Sequence, residues 1–167
     1  MSSAQAPTPK KVVPTQYGLA AIVAQHVDLA TVYMSSVTAR LRAPHRVVSE
    51  SILKNEVEAK LAWSPAFSVQ EVPAVLVVRV PFQVMIAGRA ENALPLAEVE
   101  VELSLEYPLD SLPPGERRDE LFEAFAKVNG VYNSWPYLRE VVQNTFARMA
   151  LPPIVLPVYR VTKAKTP

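Results

Sequence analysis

Asn129-Gly-Val-Tyr-Asn-Ser-Trp-Pro-Tyr-Leu-Arg-Glu-Val-Val-Gln-Asn-Thr-Phe-Ala-Arg-Met-Ala-Leu-Pro-Pro-Ile-Val-Leu-Pro-Val-Tyr159 is the stretch whose reading decides the fold. Its middle predicts a helix with defined ends. Ser134 suits the N-cap, where its hydroxyl would accept from a free backbone N–H of the first turn. Pro136 suits that first turn, where a missing N–H costs nothing. Leu138, Val141, Val142, Thr145, Phe146 and Met149 then recur at i, i+3, i+4, i+7, i+8 and i+11, one apolar stripe along the helix. Pro152-Pro153 stops it, because neither residue donates and both fix φ. The remainder, Ile154 to Tyr159, is apolar and extended and has to lie on something.

Working outward from this stretch, Glu116 opens a preceding helix with acids in its first turns, which complement the helix dipole. Leu121, Phe122, Phe125 and Val128 form its inner face, and Asn129-Gly130 is expected to kink or break it. Ser111 to Gly115, with two prolines and a glycine, separates it from what lies upstream. Leu94 to Tyr107 alternates cleanly, with Glu98, Glu100, Glu102, Ser104 and Glu106 on one face and Val99, Val101, Leu103 and Leu105 on the other. That is a half-buried antiparallel strand. A turn over Gly88-Arg-Ala-Glu-Asn92 joins it to a strand over Ala74 to Ala87, in which Pro81 predicts an edge or a bulge because proline cannot donate to a ladder. Val57 to Val69 reads as another strand, bent at Ser64-Pro65. His45 to Glu56 reads as a connecting loop with Val47, Val48, Ile52 and Leu53 embedded. Val27 to Leu41 is a first strand, Tyr17 to His26 a short Ala-rich helix, and residues 1–15 a disordered tail. The order predicts a single α+β domain over 16–161, a four-stranded antiparallel sheet with helices on one face, and a short basic tail over 162–167.

Composition narrows the function classes. Seventeen basic and sixteen acidic side chains leave a net charge of +1, so no strong field for nucleic acid is implied. The absence of cysteine excludes disulfides and thiolate metal sites. Sixteen prolines against four glycines favour strands with stiff connectors over Gly-rich phosphate cradles. No apolar run reaches the roughly 18 residues of a membrane span, and the opening residues lack the apolar core of a signal peptide. A cytoplasmic protein is expected.

No catalytic set emerges. His26 and His45 have no neighbour at metal-ligand spacing, His45 reads as a solvated loop histidine, and no nucleophile elbow, P-loop or dinucleotide fingerprint is present. A non-enzymatic protein with no metal and no cofactor is expected. The glutamate ladder reads first as the wet face of a strand, and secondarily as a docking surface through Glu98, Glu100 and Glu102. Trp63, Phe67, Phe82, Tyr107, Trp135 and Tyr137 are core or groove aromatics. The apolar residues of 47–53 and 154–159 lie in segments that are not regular cores, a feature of binding surfaces or oligomer contacts.

Trp135-Pro-Tyr-Leu-Arg-Glu140, its helix, and the following Ala150-Leu-Pro-Pro-Ile-Val-Leu-Pro-Val158 together resemble the C-terminal half of SecB-like export chaperones, and the likeness extends more weakly upstream to about Val27. The wording is closer to the atypical branch, whose members can guard the antitoxin of a toxin–antitoxin system. The resemblance implies a homotetramer, a dimer of dimers, that holds unfolded or preprotein clients in a hydrophobic groove without nucleotide or metal. It places the groove at Val47, Val48, Ile52, Leu53, Trp63, Leu151, Ile154, Leu156 and Val158. It places oligomer contacts on the two helices, at Phe122, Phe125, Tyr137, Val141 and Thr145. Protein export implies an export motor ATPase as partner, docked at Glu98 and its neighbours. Against that, the export members' further helix and acidic tail are replaced by a basic Arg160 to Pro167. Their first-strand acids correspond to Thr38 and Arg42, and their Gly-Gly gives way to residues around Val101 and Glu102. An antitoxin is the alternative client. A carrier that encloses a small lipophilic ligand is the alternative from another class.

Overall fold

The computed structural model describes residues 15–90, 92–111 and 117–159. The expected tails, apart from Thr15, therefore lie outside the described residues, as do the domain limit at 161, most of the Ser111 to Gly115 break and the Glu116 helix start. Thr15 itself is not tail. Its side chain accepts from Gly18 N at 3.2 Å and caps α1 (Gln16–Ala24).

Five strands follow, all antiparallel: β1 (Thr31–Leu41), β2 (Val57–Trp63), β3 (Ala66–Glu71), β4 (Ala74–Gly88) and β5 (Pro95–Pro108). The order is β1-β5-β4-β2, with β3 also on β4. β2 and β3 are the two halves of the expected bent strand. Ser64-Pro65 interrupts it, so that β2 pairs with Phe82 to Gly88 and β3 with Ala74 to Arg79 along the same side of β4. The sheet thus has five strands in four positions. Pro81 corrects one expectation, because its strand is central. The missing donor falls at the gap between β2 and β3, where the Pro81 carbonyl still accepts from Ser64 N at 3.4 Å. Proline is accommodated here by an interruption in its neighbour. A cis peptide bond joins Val72 to Pro73 in the β3–β4 turn.

The segment 45–56 corrects another. It is not a loop: His45–Leu53 forms the helix α2, which buries Val48 completely. Asn55 follows with φ of 55°, a left-handed conformation asparagine tolerates, and Arg89 ties it down by bonds to its carbonyl (3.1 Å) and its Oδ1 (2.9 Å).

The two C-terminal helices are one. α3 (Arg118–Phe125) passes through a π-turn over Ala126–Gly130 into α4 (Val131–Arg148) with helical dihedrals throughout. Asn129-Gly130 therefore does not break the chain. Gly130 is buried where the helix meets the sheet, and a β-carbon there would lie 2.6 Å from Val78 Cγ1. The glycine serves close approach, not a turn. Ser134 is consequently inside the helix, its hydroxyl donating to the Val131 carbonyl at 2.9 Å instead of capping an end. Pro136 likewise lies in the interior and withdraws the donor that would pair with the Tyr132 carbonyl. The expected stripe holds, with Leu138, Val142 and Phe146 fully buried. The helix closes at Ala150, whose φ of 53° lets Leu151 N reach the Phe146 carbonyl at 3.0 Å.

The helices cover one face of the sheet. The core between them is built from the alternate residues Leu76 to Ile86 of β4 and Val99 to Tyr107 of β5, against Leu121, Phe122, Phe125, Leu138, Val142 and Phe146.

Candidate functional site

Three segments of different origin meet beside β2. α2 crosses one end of it. His45 anchors the start of α2, its Nε2 lying 3.0 Å from the Met149 carbonyl and 3.2 Å from that of Ala150. Carbonyls only accept, so this nitrogen carries the proton, and the histidine is exposed but not free. After Ala150 the chain runs without regular structure over 151–159, pinned from below by Leu151, Ile154 and Leu156, and from the side by Trp135 Nε1, which donates to the Pro157 carbonyl at 2.9 Å.

The surface left between these segments is mostly apolar in residue type. At its α2 end is an open cavity of about 360 Å³, walled by Ile52, Val57, Ala59, Ile86, Pro153, Ile154 and Val155 together with the polar Asn55, Glu58 and Arg89. Along β2 it reaches an aromatic cluster. Trp63 stands edge-on to Trp135 (ring centroids 5.5 Å, 81°) and to Tyr159 (5.9 Å, 78°), and Phe82 lies 6.0 Å from Trp135. Tyr159 sits 5.0 Å from Trp135, and burial chiefly, with Tyr17 nearby, pushes its phenol pKa up. Beyond the cluster a second open cavity, of about 410 Å³, lies between Leu29, the N-terminal half of α4 and Val158. β2 spans about 20 Å at the usual strand rise, enough for an extended peptide of about six residues. Among the described residues it is the last strand of its edge over Val57 to Trp63, so its outward backbone groups have no ladder partner there.

Of the residues expected in a groove, the structure brings Ile52, Trp63 and Val158 to this surface, while Val47 and Leu53 are exposed on α2 to either side of its buried face. Leu53 is 73% and Val158 67% exposed. Val48, Leu151 and Leu156 are corrected: they are core residues that hold α2 and the C-terminal segment in place, whereas Ile154, also largely buried, still lines the cavity as its floor. Val155, 78% exposed, lines the first cavity, and Trp135, expected as core or groove, lines the second with Tyr159; Val155 and Tyr159 were not singled out within 154–159. Their signal was alternation within Ile154-Val-Leu-Pro-Val158, which puts Val155 opposite Ile154 and Leu156.

The oligomer contacts divide similarly. Phe122 and Phe125 are buried in the core, against Phe67 (5.8 Å) and Tyr107 (5.0 Å), so neither is available for a contact. Tyr137 is exposed, and Val141 and Thr145 are half-buried. The exposed apolar face that sequence reasoning overlooked is on β1, where Met34, Val37 and Leu41 are uncovered on the other edge strand, with Tyr33 exposed on the opposite face. The irregularity between Met34 and Ser36, which puts Met34 on the face of Val37 and Leu41, was not legible in the alternation.

The glutamates are unequal. Glu98 is only 8% exposed and accepts from Arg42 Nε (3.0 Å) and Gln83 Nε2 (2.8 Å) across three strands. The Arg42 hydrogen bond first, then that of Gln83, holds its carboxyl below the usual range. Glu100 is exposed and Glu102 half-buried. Among the described residues no group of three or more His, Cys, Asp or Glu side chains could hold a metal, and no helix is long and apolar enough to cross a membrane.

The sheet order, the crossover helix and the long π-bulged helix define a class. The chain has the SecB-like α+β fold. It is similar to the Mycobacterium tuberculosis SecB-like chaperone Rv1957, solved in complex with a ChAD peptide from the Rv1956 HigA1 antitoxin, with a TM-score of 0.70 at 20% identity over 86% of this chain and 98% of that one. A protein of unknown function from Streptococcus agalactiae matches at a TM-score of 0.34 and 11% identity, over 79% of this chain and 97% of that one. That likeness is too slight to carry an argument. No protein-family model matches the chain, and no curated protein does.

Proposed function

We propose that this protein is a cytosolic, ATP-independent chaperone that holds extended apolar segments of non-native polypeptides. The observation that carries the reading is the open apolar surface assembled from α2, β2 and 151–159 beside an unpaired strand edge. A client strand would satisfy its backbone groups on β2 and bury alternate side chains against Leu53, Val155 and the Trp63 cluster. Both cavities open to solvent, which favours a groove over the enclosed space a lipophilic carrier needs. The uncovered β1 face favours an oligomer in which further copies of the chain cover it, as in a tetramer built as a dimer of dimers.

Two client classes divide the reading. The antitoxin peptide bound by the Mycobacterium relative favours an antitoxin as natural client. Delivery to an export motor draws on Glu100 and Glu102 alone, because Arg42 already occupies Glu98. Light scattering tests the core of the proposal, on the protein alone and with excess reduced, unfolded model client. A mass near four chains that takes up client is expected. A monomer that ignores unfolded protein overturns it.

A further inference from the structure

α2 is the least secured wall of the groove. A helix of nine residues is too short to persist alone in water. This one buries a single side chain fully, Val48, with Ile52 half-buried beside it. Pro44 precedes it and offers no side-chain cap, and no acid stands in its first turn. Its ion pair, Arg46 to Glu50, lies within the helix itself. What fixes its two ends is polar and comes from far along the chain. At the start, His45 Nε2 donates to the carbonyls of Met149 and Ala150, at 3.0 and 3.2 Å. Those carbonyls lie past the last turn of α4, where the helix supplies no donor of its own. At the far end Asn55 turns the chain with its φ of 55°, and Arg89 holds it by its carbonyl and its Oδ1. Ile52 and Asn55, carried by this fastening, are part of the wall of the cavity at the α2 end. His45 is not.

We propose that His45 is a positioning residue of the groove: it clasps α2 to the end of α4, and α2 is a hinged wall that undocks between Pro44 and Asn55 while the rest of the fold stays formed. No strand ladder runs through the hinged segment, since β1 is paired as far as Leu41 and β2 from Val57 onwards. Only the docked form presents Ile52 to the cavity, so only that form holds a client segment there at full strength. Client affinity is then scaled by the docked fraction. By linkage, a bound client in turn holds α2 down. The inference rests on the chaperone reading and adds to it the contact that sets the groove.

The test reads the wall and the client separately, on the full chain. Hydrogen–deuterium exchange by mass spectrometry follows residues 45–56, and anisotropy follows binding of a fluorescein-labelled nonapeptide, Ser-Gly-Leu-Val-Phe-Asn-Leu-Ser-Gly. Loss of one net hydrogen bond in His45→Ala speeds exchange of 45–56 by about fivefold. It weakens peptide binding by roughly two- to fivefold, the upper figure applying where the whole change falls on the docked fraction. His45→Gln, whose amide N–H replaces the ring donor, restores both. Gly130→Ala, which loosens the fold at the sheet, leaves the exchange of 45–56 and the peptide affinity as they are, a result that general destabilisation in His45→Ala would not give. Saturating peptide slows the exchange of 45–56 in the wild type. Unchanged exchange of 45–56 in His45→Ala overturns the clasp. Faster exchange with unchanged peptide affinity, or a peptide complex in which 45–56 is no better protected, overturns the role in binding. A fall in mass of His45→Ala by light scattering assigns the histidine to a contact between subunits and overturns the inference too. A wild type that takes up neither peptide nor unfolded client overturns the chaperone reading and this inference with it, whereas wild-type binding that His45→Ala leaves intact overturns the inference alone.

Discussion

Tyr107 shows how much a single side chain carries here. It ends β5 with its ring buried edge-on against Phe125, and its hydroxyl accepts from Asn133 Nδ2 at 3.0 Å, so one residue joins the sheet to the start of α4. Burial pushes the phenol up to about 12, only partly opposed by the Asn133 bond. The folded chain thus keeps this proton where the unfolded chain, with an ordinary value near 10, gives it up. Stability is full below about pH 10 and falls as the pH rises towards 12, by roughly 1.4 kcal/mol per unit at most. Denaturant titrations at pH 9 and pH 11 should show a smaller alkaline loss in Tyr107→Phe than in the wild type. Equal losses in the two proteins would mean that this phenol ionises freely in the fold.

At the level of elements, the long helix is governed by one contact. A glycine inside a helix costs about 1 kcal/mol relative to alanine, and here the sheet makes that cost worthwhile. With no side chain at 130, the π-turn settles onto Val78 and Val80 of β4. Gly130→Ala should therefore destabilise the protein by about 1–3 kcal/mol through overpacking, despite its better helix propensity. Val78→Ala in the same chain should recover part of the loss, a coupling that a double-mutant cycle measures directly. A stabilised Gly130→Ala would contradict the close approach.

At the scale of the molecule, the groove has a floor and a rim that respond differently to charge. Ile154, 8% exposed, is floor. Ile154→Asp buries an unpaired carboxylate and should cost about 3 kcal/mol or more of stability. Leu53 and Val155 are rim. Leu53→Asp and Val155→Asp should alter stability by no more than about 0.5 kcal/mol, yet weaken client binding roughly tenfold or more, because each removes the burial of one large aliphatic side chain. Thermal melts and suppression of client aggregation, run on all three variants, separate the two classes. Unchanged suppression in both rim variants would remove the proposed groove.

The sequence by itself determined the elements whose periodicity is local. The alternation of Leu94 to Tyr107 and the stripe Leu138 to Phe146 stand as read, and with them the α+β class; the helix stop, read at Pro152-Pro153, falls just before it at Ala150. Local signals are sufficient there because each depends on residues within two or four positions. Only the tertiary structure decided what depends on a neighbour far along the chain. Ser134 and Pro136 looked like a helix start, but Gly130 packs against a strand some fifty residues earlier and carries the helix through. Val47 to Leu53 looked like loop, but Val48 found a place in the core and the segment became helical. Of the expected groove, residue types were legible and orientation was not: Ile154 and Val155 are equally apolar in sequence, and contact with the core alone sends one to the floor and the other to the rim. Arg139 was visible only as part of a motif. That its Nε is buried without an acceptor among the described residues could be read only from the folded chain.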